Sequence, residues 1–397
     1  MPRHNQFRHQ SYPTVPRMKP TRHILHVHPE PVDFSRLHTQ HSVHQVIVVP
    51  GTFAGKDPFN IAGTLRAVPK NLPVIGAQLH RVADRIENKT REVFSAVAGD
   101  TGNYTDGFIQ RFEELVNGDP LVTLLDPTWT GQNHHFARAD LAIRLLSHLD
   151  GQNVCGREQI LLWGHSHAGN GFALLSNLLA NHRQSVDRFF DVCGYPEADH
   201  WRCAHETLKA SPSPHPLAKH VTAATFGAPV RYGWDTDGFN QLYHVLFDRG
   251  ADDPEQIATE SVFPPRLNEI LNATYGDWVQ AFAIAGTDVV PLAPSPVKRD
   301  RMIAELLLQG LDSPELSMDT RLIPVQHLRI LCARWKTGTR CHADGYNLLV
   351  DYQPADPTVS EQPIESSVFG HGVATTLEWL PAHLALLIKR MDLTRAG

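Results

Sequence analysis

The sequence lacks a long uninterrupted apolar run, although 42% of its 397 residues are hydrophobic. A helix that crosses a bilayer needs about 20 consecutive apolar residues, so no transmembrane segment is expected. Nor does the stretch from Met1 to Gln6 lead into the apolar core of a signal peptide. Basic residues are not in excess, because the formal net charge is −6, and this argues against a nucleic-acid partner. We therefore expect a cytoplasmic protein.

Cysteine is also scarce, with five residues scattered over the chain. An odd, dispersed set favours reduced thiols over a disulfide framework, although two close pairs leave a disulfide open, Cys193/Cys203 and Cys332/Cys341. The histidines near the first pair do not follow the ligand spacing of a standard zinc finger. The sequence therefore predicts neither a metal site nor an organic cofactor.

The most informative stretch of the chain surrounds Ser166. The continuous apolar run before it is typical of a strand buried on both faces, and leucines recur at helical spacing after it. Ser166 is thus predicted on a sharp turn from strand to helix. Such a turn brings strand and helix close together and requires small residues beside the serine, as Gly164 and Ala168 are.

This turn resembles the nucleophile elbow of the α/β-hydrolase superfamily, whose pattern is G-x-S-x-G. Here Ala168 followed by Gly169 replaces the last glycine. The resemblance is to lipase-like and esterase-like serine hydrolases. It implies an α/β-hydrolase fold with a mostly parallel central sheet, helices on both faces and lid-like insertions.

A second motif follows a β-branched run that ends at Val49. The loop Pro50-Gly51-Thr52-Phe53-Ala54-Gly55 is similar to the glycine-flanked loop that supplies an oxyanion-hole amide in lipase-like members. The resemblance implies that Thr52 is the donor, with Phe53 next in order. The backbone amide of His167 is the expected second donor.

The superfamily order of nucleophile, acid and histidine selects Asp288 and His371 as partners of Ser166. Asp288 follows an apolar run and a glycine turn, and His371 lies between two glycines. Parallel strands end at one edge of a sheet, where distant residues converge. Asp351 and, less strongly, Asp235 stay open as alternative acids.

The organisation expected around these motifs has two parts. Residues 1–40 form an irregular extension rich in histidine and proline, with Ile24–His28 as a candidate edge strand. Residues 41–397 form one hydrolase domain with insertions at about 183–219, 236–275 and 292–340. Within the insertions we expect an irregular polar stretch over 187–216 and a short helix at 241–245. A strand of the hydrolase domain is expected from Trp278, between the second and third insertions.

These residues predict acyl transfer to water, in which Ser166 attacks a carbonyl carbon and His371 accepts its proton. The substrate class implied is a small-molecule or lipid carboxylic ester, and no partner protein is indicated. Two alternatives stay open: a phospholipase that acts on membrane lipids, and a catalytically inactive protein that binds ligands through the same fold.

Overall fold

The computed structural model describes residues 7, 16–51, 104–125, 133–152, 154–194, 198–249, 273–280, 294–308, 340–353 and 370–396. Their strands are β1 Thr21–His26, β2 Val43–Val49, β3 Leu121–Leu124, β4 Gln159–His165, β5 Val221–Phe226, β6 Gln241–Phe247 and β7 Tyr346–Gln353. They form one seven-stranded sheet in the order β1-β7-β6-β5-β4-β2-β3. Every neighbouring pair is parallel, which makes the protein a member of the α/β class.

Both faces of the sheet are covered, because successive side chains of a strand point to opposite sides. On β2, Ile47 and Val49 enter one hydrophobic core, and Val46 and Val48 enter the other. The first core contains residues of α3 His135–Asp150, α4 Ala168–Ala180, α5 Arg183–Cys193, α6 Asp199–Ala210 and α7 Pro294–Leu308. The second contains residues of α1 Arg36–Thr39, α2 Asp106–Leu115 and α8 Leu380–Ala396.

Short 3-10 helices complete the described structure, at Pro216–His220, Thr236–Gly238, His371–Thr375 and Leu377–Trp379. Since all strands run the same way, the segments that leave β2, β4, β5, β6 and β7 emerge at one edge of the sheet. This carboxyl edge is where Gly51, Ser166 and Gly227 lie, each within two residues of the end of its strand.

Several elements confirm the sequence predictions. The apolar runs before Gly51 and Ser166 are buried strands, and the helix after Ser166 forms as expected. The candidate edge strand at 24–28 is β1, shifted towards the amino terminus and paired in parallel with β7. The terminal extension also reaches the core, because buried Phe7 stacks on Phe189 with 4.4 Å between ring centroids.

Three local predictions were wrong. The segment 187–216 is largely helical, because α5 and α6 place apolar residues such as Phe190 and Trp201 on one face. The predicted short helix at 241–245 is the central strand β6, in which polar His244 is buried and bonded to Thr225. The expected strand at Trp278 begins instead as a helical turn over 278–280, and 281–293 lie outside the described residues.

The described residues contain no helix that is long and apolar enough to cross a membrane. Two candidate disulfides were left open by the sequence. Cys193 and Cys203 carry free thiols, as does Cys341, and Cys332 lies outside the described residues. The predicted insertions 236–275 and 292–340 are described only in part. Their described portions supply β6 and α7 to the layered body.

Candidate active site

Ser166 occupies a strained turn between β4 and α4. Its backbone angle φ is +55°, in the left-handed region that residues other than glycine seldom adopt. The Ser166 amide donates a 2.8 Å hydrogen bond to the Phe226 carbonyl at the end of β5, which ties the turn to the neighbouring strand. The residue is 5% exposed. The turn thus lifts the Ser166 hydroxyl to the carboxyl edge of the sheet.

Small residues are required around this turn for a steric reason. A Cβ on Gly164 would lie 2.4 Å from the Phe172 ring, and a Cβ on Gly169 would lie 2.5 Å from the Ala228 methyl group. Both separations are shorter than real Cβ atoms show, so the helix and the strand meet at these two glycines. Ala168 is accommodated as a fully buried residue of α4.

The backbone at the end of β2 also lies close to Ser166. A Cβ on Gly51 would lie 2.7 Å from the Ser166 Cβ and 3.0 Å from the His165 carbonyl oxygen. The loop predicted to hold an oxyanion therefore starts directly against the Ser166 turn. Its expected donors, Thr52 and Phe53, lie outside the described residues. The other expected donor, His167, is the residue from which α4 begins, and its ring Nδ1 lies 3.1 Å from the Asn170 side-chain nitrogen.

His371 forms a tight pair with a carboxylate that the sequence did not single out. Its Nδ1 lies 2.6 Å from Oδ2 of Asp277, and both residues are buried. The other carboxylate oxygen of Asp277 accepts a 2.8 Å hydrogen bond from the Gln280 amide. Gly227 packs against the pair, since a Cβ there would lie 2.7 Å from Asp277 Oδ2 and 3.3 Å from the His371 ring.

Electrostatics favours the ionised form of Asp277. Burial on its own raises the pKa of this carboxyl group, but the charge of His371 and the hydrogen bonds from His371 and Gln280 lower it, as does the charge of Arg340. The net pKa lies below the usual value of an aspartate. Asp277 is therefore an anion that fixes the Nδ1–H tautomer of His371 and leaves Nε2 as the acceptor.

Of the three carboxylates proposed from the sequence, Asp235 and Asp351 are described, and each contacts a residue other than His371. Asp288, the acid suggested first, lies outside the described residues. Asp351 lies 3.5 Å from Arg249, and Asp235 lies 3.3 Å from His182. Among the described carboxylates, Asp277 is the one that contacts the His371 ring. The sequence feature that could have pointed to Asp277 is the glycine before it, Gly276, because a carboxylate after a glycine turn was the pattern used to select Asp288.

A second histidine joins the serine to this pair. His165 is fully buried, and its Nε2 lies 3.0 Å from the His371 carbonyl oxygen. The two imidazole rings are 4.4 Å apart between centroids. Burial, and secondarily the charge of His371, lower the pKa of His165 to about 3, so its ring is neutral near neutral pH. The segments that carry Ser166 and His371 are thus in direct contact.

Among the described residues, one group has metal-ligand atoms close to one another. His182, Asp235 and Asp237 each place a ligand atom within 4.8 Å of the others. The group lies beyond the carboxyl end of α4, whose 13 residues separate it from Ser166 by about 20 Å at 1.5 Å per residue. It is therefore remote from the His371–Asp277 pair and has no part in the chemistry of that pair.

The arrangement has the elements of acyl-transfer chemistry. A serine hydroxyl stands on a strained turn, a histidine is oriented by a buried carboxylate, and glycine-flanked backbone borders the serine. Comparisons with protein-family models, with curated proteins and with solved structures find no match. The residues of the site and the sequence motifs around them are therefore the basis for a proposed function.

Proposed function

We propose that this protein is a serine hydrolase of the α/β-hydrolase type that cleaves carboxylic esters. Ser166 is the nucleophile, His371 the general base and acid, and Asp277 the carboxylate that orients His371. The observation that carries the proposal is the 2.6 Å contact of His371 with Asp277 at the same sheet edge as the strained Ser166 turn. Asp277 takes the role for which the sequence suggested Asp288.

The reaction follows from the roles of these groups. Nε2 of His371 accepts the Ser166 proton as the Ser166 oxygen attacks the ester carbonyl carbon. Backbone amides, for which Thr52 and His167 are the candidates, stabilise the oxyanion of the tetrahedral intermediate. His371 returns the proton to the leaving alcohol, which leaves an acyl group on Ser166. Water then attacks the acyl group by the same route and regenerates the serine.

The ester is the preferred substrate class because the loop after Gly51 resembles that of lipase-like enzymes. The sequence Thr225–Pro229 at the end of β5 also resembles lipases, in which a strand after the nucleophile helix often ends in Thr-Phe-Gly-Ala-Pro. A carboxylic ester needs no group beyond a serine, a base and oxyanion donors, and these are the roles that we propose for the residues of this site.

A chain-length series of nitrophenyl esters tests the proposal. The wild-type protein is expected to hydrolyse at least one ester, and Ser166→Ala is expected to lose at least about two decades of turnover. The matched control is Ser176→Ala, since Ser176 is also buried but lies within α4, where its hydroxyl bonds to Ala173 and Asp235. Equal, slow hydrolysis by wild type and Ser166→Ala would overturn the proposal. Phospholipid vesicles as a parallel substrate show whether membrane lipids are cleaved instead.

A further inference from the structure

Three segments of the candidate site meet at the ring of His165. Its Nε2 lies 3.0 Å from the His371 carbonyl oxygen. Its Nδ1 faces the end of β2, 3.2 Å from the position that a Cβ on Gly51 would take. Its backbone continues directly into Ser166. One buried side chain therefore touches the base-bearing turn and the Gly51 loop and is covalently joined to the nucleophile.

The chemistry of these contacts fixes the tautomer of His165. A carbonyl oxygen only accepts hydrogen bonds, so the proton must reside on Nε2 and Nδ1 must be bare. Among the described residues, Nδ1 has no hydrogen-bond partner. Burial lowers the pKa of His165 to about 3, in agreement with a neutral ring. A neutral ring also adds no positive charge next to His371.

The His371 backbone gains most from such a contact. His371 begins a 3-10 helix of five residues and follows Gly370, whose φ is +86°. This turn lies outside the sheet, so no strand pairing holds it in place. The Asp277 carboxylate anchors the ring of His371, and the His165 ring anchors its carbonyl group. Together the two contacts hold both ends of the same residue.

We propose that His165 is a positioning residue, which sets the distance between Ser166 and His371 by donating a hydrogen bond from Nε2 to the His371 carbonyl oxygen. The inference rests on the proposed hydrolase function and deepens it. The hydrogen bond of His165 is to the backbone of His371 and not to its ring nitrogens. It acts through the backbone of His371, with Ser166 held at a fixed separation because it is the next residue.

The reach of amide side chains provides a direct test. The side-chain nitrogen of glutamine extends about as far from the backbone as Nε2 of histidine, whereas that of asparagine extends only as far as Nδ1. His165→Gln therefore keeps the donor to the His371 carbonyl, and His165→Asn removes it. His205→Asn serves as the control, since His205 is a buried histidine that contacts Asp187 between α5 and α6.

The first readout is turnover per active site, counted by titration with a nitrophenyl ester burst. Displacement of a catalytic group by about 1 Å costs up to about 100-fold, so His165→Asn is expected to lower kcat by 10- to 100-fold with little change in KM. His165→Gln and His205→Asn are expected to stay within a few-fold of wild type. A purely structural role would lower the titrated fraction and leave kcat per site unchanged.

The second readout is independent of activity. The proton between His371 and Asp277 gives a far-downfield NMR resonance, which Asp277→Asn assigns by its loss. The inference predicts that this resonance shifts or broadens in His165→Asn and persists in His165→Gln. Unchanged kcat and resonance in His165→Asn would overturn the positioning role while the hydrolase proposal stands. If the wild-type protein has no esterase activity but the resonance still changes in His165→Asn and persists in His165→Gln, the positioning of His371 by His165 is supported and the hydrolase proposal is overturned.

Discussion

Replacement of Asp277 by asparagine probes the contact with His371 on which the proposed function depends. In the native site Asp277 accepts at both oxygens, from the His371 ring and from the Gln280 amide. Asparagine has one accepting oxygen and one donating nitrogen. Whichever way the amide turns, an N–H group faces either Nδ1–H of His371 or the Gln280 N–H. The orientation of His371 is lost or the loop is strained.

The size of the effect follows from the geometry. In the serine-hydrolase arrangement, loss of the orienting carboxylate leaves the histidine in the wrong tautomer and costs about four decades in kcat. Four decades correspond to about 5 kcal/mol of transition-state stabilisation. We therefore expect Asp277→Asn to lower kcat by about 10³- to 10⁴-fold with KM nearly unchanged. Loss of a buried hydrogen bond to a charged group lowers the free energy of unfolding by about 2–3 kcal/mol.

The matched control is Asp288→Asn, at the acid that the sequence suggested. Steady-state kinetics on a nitrophenyl ester, with urea unfolding to verify the fold, compares the two variants. Asp288→Asn is expected to stay within a few-fold of wild type. If Asp288→Asn abolishes turnover and Asp277→Asn preserves it, the assignment of Asp277 is refuted.

Other predictions concern packing and pH. Gly227→Ala would place a methyl group 2.7 Å from Asp277 and is expected to lower kcat at least tenfold. The control is Gly156→Ala, which has a similar φ of +60° and nothing within 4 Å, and is expected to change only the free energy of unfolding. Equal kcat values in the two variants would contradict this packing. Burial lowers the pKa of His383 to about 3, so acid favours the unfolded chain, whose histidines take up protons near pH 6.5. The free energy of unfolding should therefore be highest above pH 6.5 and fall by up to about 1.4 kcal/mol per pH unit for each such histidine as the pH drops towards 3. Urea midpoints at pH 8 and pH 5 measure this fall, which should be shallower in His383→Gln; a midpoint independent of pH would refute it.

The parts of the site that depend on local sequence were predictable. The apolar run of β4, the small residues around Ser166 and the helical repeat of leucines all act within a few residues of the turn. The glycine-flanked His371 was likewise marked by its neighbours. In each case the chemistry of the chain near the residue is enough to fix the backbone.

The contact of Asp277 with His371 was not predictable in this way, because the position of Asp277 depends on which segment forms the strand beside β7. The apolar run after Asp277 resembles a strand more closely than β6 does. β6 carries His244, whose burial is stabilised by a 2.8 Å bond to Thr225 and by stacking on His342 at 3.9 Å. These partners are distant in sequence, so the pattern of β6 alone suggested a short helix.

The central claim is that Ser166 is made nucleophilic by His371, and covalent labelling tests it most directly. The protein is treated with a fluorophosphonate, and the adduct is located by peptide mass spectrometry. We predict a single adduct on Ser166 in the wild-type protein, and a labelling rate at least about 100-fold lower in a folded His371→Ala variant. An unlabelled wild-type protein, an adduct on another serine, or equal labelling of the His371→Ala variant would contradict the account.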